Sequence, residues 1–332
     1  MPGSRIQIAA LLVLCAVGAE LLAAYGDTTG DVGGIAFSVV FFAGLYGAPA
    51  LLAREVARRR GWGWGPLLWL CLGLGVTQAC LIDQSLFAED YMGYEGWEAM
   101  REATYLPALG FSAGNVLTFI GGHVIFSFGA PVALAEQWRP RTADSPWLGR
   151  TGVVLSPIAY LLTAGMIVAD PESRTASPAQ LAGAVAVVLA CVAAAVVTGS
   201  RSSAVSARPP TRVWVVFLAA LPLAAAGEYL GGEGWARLAM GALAMAGIAL
   251  LLRTAGRGRW RSVHVAAVGF AYLLVRGVLA FTYYPLLGHV DAAPKYAHNT
   301  VMLLVVLAAG WFAYRARSGR TSARGAAAEV SS

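Results

Sequence analysis

The chain has 332 residues, of which 58% are apolar and 13% charged. A soluble domain carries about 45–50% apolar and about 25% charged residues, so a soluble globule of this composition would lack the charges to cover its surface. Disorder, a collagen repeat and a disulfide-rich secreted scaffold are excluded as well. The formal net charge of +6 invites a nucleic-acid reading, but the placement of the charges argues for a membrane.

Ten apolar stretches are long enough to cross a hydrocarbon core as helix, which needs roughly 17–25 residues. They fall near 6–25, 34–53, 63–82, 112–135, 149–169, 178–199, 212–230, 234–252, 262–284 and 298–315. The runs are continuous and do not alternate, which makes them helices and not barrel strands. Residues 1–25 also read as a cleavable signal sequence, with one arginine and small residues before Tyr25. Glu20 inside the apolar run favours a retained helix.

Between the stretches the basic residues alternate. Arg5, Arg54, Arg58, Arg59, Arg60, Arg139, Arg141, Arg150, Arg201, Arg208, Arg212, Arg253, Arg257, Arg259 and Arg261 all fall on one side, as do the arginines after residue 314. The opposite loops hold Arg101, Arg174, Arg237 and Lys295, the one lysine, among a larger number of acids. Basic loops stay cytoplasmic. The chain therefore reads as an all-α, polytopic bundle of about ten spans with both termini in the cytoplasm of a bacterial inner membrane. One membrane domain, 1–315, is followed by a disordered tail, 316–332. The expected partner is the bilayer, with no nucleic acid.

The loop that follows the third stretch is the longest outer one. Trp97, Met100 and Thr104 recur in it at helical spacing, so the segment at about 85–106 is expected to form an amphipathic helix at the outer interface. Gly110-x-x-x-Gly114 and the face Gly241, Ala244, Gly247 suit close helix packing. Cys15, Cys71, Cys80 and Cys191 form no C-x-x-C pair, and no histidine pair has metal-ligand spacing. No cofactor or metal is expected, and the cysteines read as packing residues.

Polar side chains inside the spans mark where function should lie, because each costs about 2.5–3.5 kcal/mol at mid-bilayer unless it is paired or wetted. Arg276 is the deepest charge. Glu20, Gln78, Asn115 and His123 are also intramembrane, Asp83 and Glu228 sit at outer helix ends, and His298, Asn299 and Thr300 open the last stretch. Nearly all fall in the outer half, which points to an outward-facing polar pocket lined by Arg276, His123, Asn115, Gln78, Glu20 and Asp83. Asn115 and His123, eight residues apart, are expected on neighbouring parts of one helix face. Arg276 is expected to pair with either Glu20 or Glu228.

The run Ala50-Leu-Leu-Ala-Arg-Glu55 to Arg60, with Gly61-Trp-Gly-Trp-Gly-Pro66, resembles a group of uncharacterised bacterial multi-pass membrane proteins. Gln84-Ser-Leu-Phe87 and Gly122-His123 through Pro131 carry the same resemblance. Over roughly residues 45–135 the chain is more remotely similar to the CPBP intramembrane proteases, the CAAX- and bacteriocin-processing type. That family has Glu-Glu-x-x-x-Arg, Phe-x-x-x-His and a later His with Asn or Asp four residues on. The first motif would fall on Gln78, Ala79 and Asp83, the second is present as Phe119 and His123, and the third has no counterpart. The resemblance implies a shared scaffold that kept a binding cavity. Gln78 cannot ionise to activate water as a glutamate does. The leading reading is a protein that binds or transports a small or amphiphilic ligand, ahead of an accessory membrane subunit and of a divergent CPBP-like enzyme.

Overall fold

The computed structural model describes residues 2–23, 28–94, 96–200, 210–229, 234–256, 260–283 and 290–329, with side chains placed outside 2–4 and 317–329. Arg201, Arg208, Arg257 and Arg259 therefore lie outside the described residues. The chain is helical almost throughout: α1 (Pro2–Ala16, continued by Val17–Leu21), α2 (Val32–Arg59), α3 (Trp64–Ile82), the short α4 (Trp97–Glu102), α5 (Ala113–Trp138), α6 (Arg150–Ala169), α7 (Pro178–Gly199), α8 (Val213–Tyr229), α9 (Gly234–Ala255), α10 (Ser262–Leu279) and α11 (Ala292–Glu329). Among the described residues eight of these are long and apolar enough to cross a membrane, and Val213–Glu228 is a shorter apolar helix. Among the described residues a single hairpin, β1 (Tyr105–Leu106) with β2 (Phe111–Ser112), is the only sheet.

Helix α5 is the hub. It packs against α1, α2, α3, α10 and α11, while α6 leans on α2, α7 on α3, α8 on α10 and α9 on α8. The outer helices keep apolar side chains turned away from the protein, with Leu161 68% and Leu189 63% exposed. Such faces have a lipid solvent or none that suits them. The small-residue face of α9 packs as its sequence implies: Gly241 meets Leu117 of α5 and Gly247 meets Leu223 of α8. Gly110-x-x-x-Gly114 does not act as a helix-packing pair. Gly110 has φ +71 in the β1–β2 hairpin, a left-handed position that glycine takes without steric cost.

Contacts sort the loops into two ends. At one, Gln7 bonds Ala135 O and Thr142, Arg59 bonds Leu148 O, His264 bonds Thr211 O, and Trp138 bonds Ala309 O. At the other, His298 bonds Leu21 O, Lys295 and Asn299 both donate to Ala280 O, and Thr175 donates to Gln84 O. The first end gathers the arginine-rich segments. Lys295, His298 and Asn299 are thus anchors of α11 to α1 and α10.

A knot of charge lies buried at the arginine-rich end. Glu136 of α5 receives Arg58 through two bonds, Nε at 2.7 Å and Nη2 at 2.9 Å, and Arg54 Nε at 3.0 Å. Arg54 is 0% exposed; its Nη2 donates to Ala143 O and Ser145 O, and its guanidinium lies 3.4 Å above the Trp147 ring. Glu55 accepts from Arg59 and from the Trp147 backbone N–H. Sequence counts these charges simply among those of the arginine-rich side; in the structure Arg54, Glu55, Arg58 and Glu136 are core, while Arg59 stays exposed. Each charge meets a fork, a carbonyl or a ring, the condition for burying an ion at all. Arg54 Nη1, alone among the buried guanidinium nitrogens of the knot, has no hydrogen bond, with Glu55 Oε2 3.8 Å away.

The two ends of this knot occupy matching positions. Gly47-Ala48-Pro49 in α2 and Gly129-Ala130-Pro131 in α5 are the same tripeptide, and seven residues after each glycine stand Arg54 and Glu136. The residues before the glycines, Tyr46 and Phe128, also meet, ring to ring at 6.3 Å. α2 and α5 therefore run side by side in the same direction and in register.

Removing one member of a buried ion pair leaves an uncompensated charge and costs about 3–5 kcal/mol. Glu136→Gln is expected to lower the yield of folded, monodisperse protein and its melting temperature in detergent. Arg60→Gln, at an exposed position beside the knot, is expected to change neither.

Candidate functional site: a junction of π-helical turns

Proline in a helix lacks an N–H and its ring strikes the carbonyl four residues back. Pro49 would strike Leu45 O and Pro131 would strike Ser127 O. The helices resolve this by winding wider just before each proline: Ala43–Gly47 in α2 and His123–Gly129 in α5 are π-helical. Among the described residues three more such stretches occur, Val17–Leu21 in α1, Gln78–Ile82 in α3 and Val116–Gly121 in α5. π-helix makes up well under about 1% of residues in ordinary proteins and is found mostly at functional sites. Here the five stretches touch one another. Val17–Leu21 and Ala43–Gly47 pack on His123–Gly129, and Gln78–Ile82 packs on Val116–Gly121.

Close approach is built in by small residues. A side chain on Gly18 of α1 would overlap the Phe126 carbonyl of α5. One on Gly75 of α3 would stand 3.1 Å from Ile120 O and 3.5 Å from His123 Cβ. The polar side chains of the π turns then meet across the junction. Tyr46 donates its hydroxyl to Glu20 Oε1 at 2.6 Å. The Tyr46 ring lies 5.4 Å from the His123 ring, and His123 Nδ1 is 2.9 Å from Ser127 Oγ. Gln78, buried at the end of α3, hydrogen-bonds Asp83, and Asp83 also accepts from the Ser85 N–H at 2.9 Å. Gln84, next in the chain, adopts φ +52, a left-handed conformation costing about 1–3 kcal/mol for a non-glycine. It is held there by the Ala176 N–H bonding its side-chain oxygen at 2.7 Å.

The segment between α3 and α5 covers this junction. Its helix is limited to Trp97–Glu102, and Trp97 is buried, stacked on Tyr91 at 4.8 Å, 5.9 Å from Phe119, and bonded through Nε1 to Ala88 O. Thr104 is buried too, bonded to Ser112 across the hairpin. Burial pushes the Tyr91 phenol up, and the charges of Asp83 and Glu20 add to that shift. Burial likewise raises Asp83 to about 6, against the pull of Ser85 and Gln78.

The six residues singled out in the sequence divide into three places. Glu20, Gln78, Asp83 and His123 gather at the junction. Asn115 sits at the top of α5, buried, with Nδ2 unpartnered; its short segment packs on α4 and α9. The winding of Val116–Gly121 breaks the 3.6-residue period by which Asn115 and His123 share a face. Arg276 lies across α5, in a cavity of about 80 Å³ with Glu228 and Arg237. Its closest carboxylate is Glu228, at 4.0 Å, while Glu20 is taken by Tyr46. Tyr46, Tyr91 and Ser127 escaped the sequence reading, although the tripeptide after Tyr46, repeated after Phe128, is a signal that finds the junction. Among the described residues no three His, Cys, Asp or Glu side chains cluster as metal ligands would. The junction offers two carboxyls, two phenols, an imidazole and an amide, a set suited to hydrogen-bonding a polar ligand and to exchanging protons with it.

An acid whose pKa is raised by folding destabilises the fold as it ionises. For Asp83, stability is expected to fall as pH rises from about 4, the free aspartate value, through about 6. Melting curves in detergent at pH 5 and pH 7 check this: the wild type should melt several degrees higher at pH 5, and Asp83→Asn should lose that difference. No family model, curated protein or solved structure matches the chain, so the reading of the junction rests on its own geometry.

Proposed function

We propose that this is a plasma-membrane protein of ten spans with both termini cytoplasmic, and that the π junction is an outward-facing pocket that binds or transports a small polar or amphiphilic ligand. Support for the span count comes from adding α1 and Val213–Glu228 to the eight long apolar helices. The orientation is supported by the gathering of the arginine-rich segments at one end, which the positive-inside rule puts in the cytoplasm.

One observation carries the ligand reading: π turns on four helices each bring a polar side chain to the same place. Wide turns are costly in a helix and persist where a side chain must be re-aimed. Packing alone would be served better by apolar residues at these positions. Gln78, which stands where the CPBP resemblance requires an ionisable glutamate, favours binding over hydrolysis.

Two measurements test the reading. Single cysteines replacing Glu172 and Arg141, both at exposed positions, should react with a membrane-impermeant maleimide in intact cells at 172 alone; labelling at 141 alone would invert the topology. Vesicles containing the purified protein should take up or retain one member of a panel of small polar and amphiphilic solutes. Glu20→Gln and His123→Ala should each reduce this at least about tenfold, the worth of one lost charge-assisted hydrogen bond. Retention unchanged in both variants would reject the pocket.

A further inference from the structure

The cavity on the far side of α5 has a chemistry opposite to that of the junction. α5, α8, α9 and α10 enclose it, with Gly122 and Phe126, Glu228, Arg237, and Tyr272 and Arg276 as the residues that define it. Arg276 is only 24% exposed, and its guanidinium lies 4.4 Å over the Phe126 ring. Its Nε is buried with no hydrogen-bond partner. Glu228 Oε2 stands 4.0 Å from Nη1, beyond hydrogen-bond length. Arg237, entering from α9, is exposed and makes no hydrogen bond or ion pair among the described residues. Two guanidinium groups therefore face one cavity that holds one distant carboxylate.

A guanidinium inside a membrane span requires a counter-charge. Its planar fork matches the paired oxygens of an oxyanion, and two forks from different helices exceed what one carboxylate's two oxygens satisfy. The cavity offers about 80 Å³, where a single water needs about 10–15 Å³, so a group of a few heavy atoms has room in it. Leu117, Ile125 and Met245 supply apolar walls beside it.

We propose that Arg276 and Arg237 form an oxyanion site that takes a phosphate group, either as free phosphate or as the head of an anionic phospholipid. This goes beyond the ligand reading of the π junction and does not depend on it. Glu228 acts here as a placeholder, holding Arg276 loosely until the phosphate displaces it.

The test uses the full-length protein in nanodiscs. In discs of phosphatidylcholine alone, inorganic phosphate is titrated while the melting temperature is followed. In a second arm, discs containing phosphatidylglycerol are compared with phosphatidylcholine discs, and co-purifying lipid is counted by native mass spectrometry. Saturable stabilisation in the first arm identifies free phosphate; retention in the second alone identifies the lipid. Either effect should weaken at least about tenfold in Arg276→Leu and in Arg237→Leu, and strengthen in Glu228→Gln, which removes the competing carboxylate. Because Arg237 is exposed, its variant reads the site even where Arg276→Leu fails to fold. Stabilisation or retention that is equal in the wild type and Arg237→Leu, or absent in both arms, would overturn the proposal.

Discussion

The bond between Arg54 and Glu136 sets the frame for the rest of the molecule. Both ends are excluded from solvent, so neither charge has an alternative to its partners, and sliding α2 along α5 by even one residue would strand two ions in an apolar core. Desolvation of such groups is far more costly than the loss of a few packing contacts. That penalty fixes the register. With register fixed at this end, Tyr46 and Phe128, eight residues earlier in each helix, are carried into contact. The same pair dictates the course of the following loop, whose carbonyls at Ala143 and Ser145 cap Arg54.

Two prolines then convert register into a site. Pro49 and Pro131 stand at matching heights in two helices that run in parallel, and each follows a wide turn on its N-terminal side. A π turn changes the angular phase of everything before it, so side chains that a regular helix would aim elsewhere come to face one another. Tyr46 and His123 are the result. Gly18 and Gly75 let α1 and α3 approach the widened stretch, bringing Glu20 and Gln78 with them. Structural necessity and the polar junction are thus two consequences of one repeated tripeptide.

Much of this was open to reading in the sequence. Apolar runs and the sorting of arginines carry the helical membrane bundle because both respond to a single physical variable, transfer into lipid. Glu20, Gln78, Asp83 and His123 stood out by the same measure. What periodicity missed follows from its assumptions. Arg54, Glu55, Arg58 and Glu136 have the composition of a solvated loop face, and only the fold reveals that Glu136 comes back to meet them. Trp97 has the spacing of an interfacial anchor, whereas its burial depends on Tyr91 and Phe119, which are distant from it in the pattern. Asn115 and His123 were matched with a 3.6-residue repeat across a stretch that does not obey it.

The division of the polar residues by α5 bears most directly on function. Had Arg276 met Glu20, the two charges would have neutralised each other as a packing lock and left nothing for a ligand. Instead the acids are gathered on one side of α5, where Tyr46, Gln78 and Ser85 hold them with neutral hydrogen bonds, and the arginines on the other, with Glu228 at a distance that leaves the guanidinium incompletely paired. Gly121 and Gly122 line the arginine cavity, while the residue that follows them, His123, turns to the acidic side. α5 therefore stands between the junction that holds Glu20 and Asp83 and the cavity that holds Arg276 and Arg237, although the field of Arg276 still reaches His123. Keeping unlike charges apart in a low-dielectric interior costs free energy, and a fold selected only for stability would let them pair. Their separation is the physical ground for seeking ligands on both sides of α5.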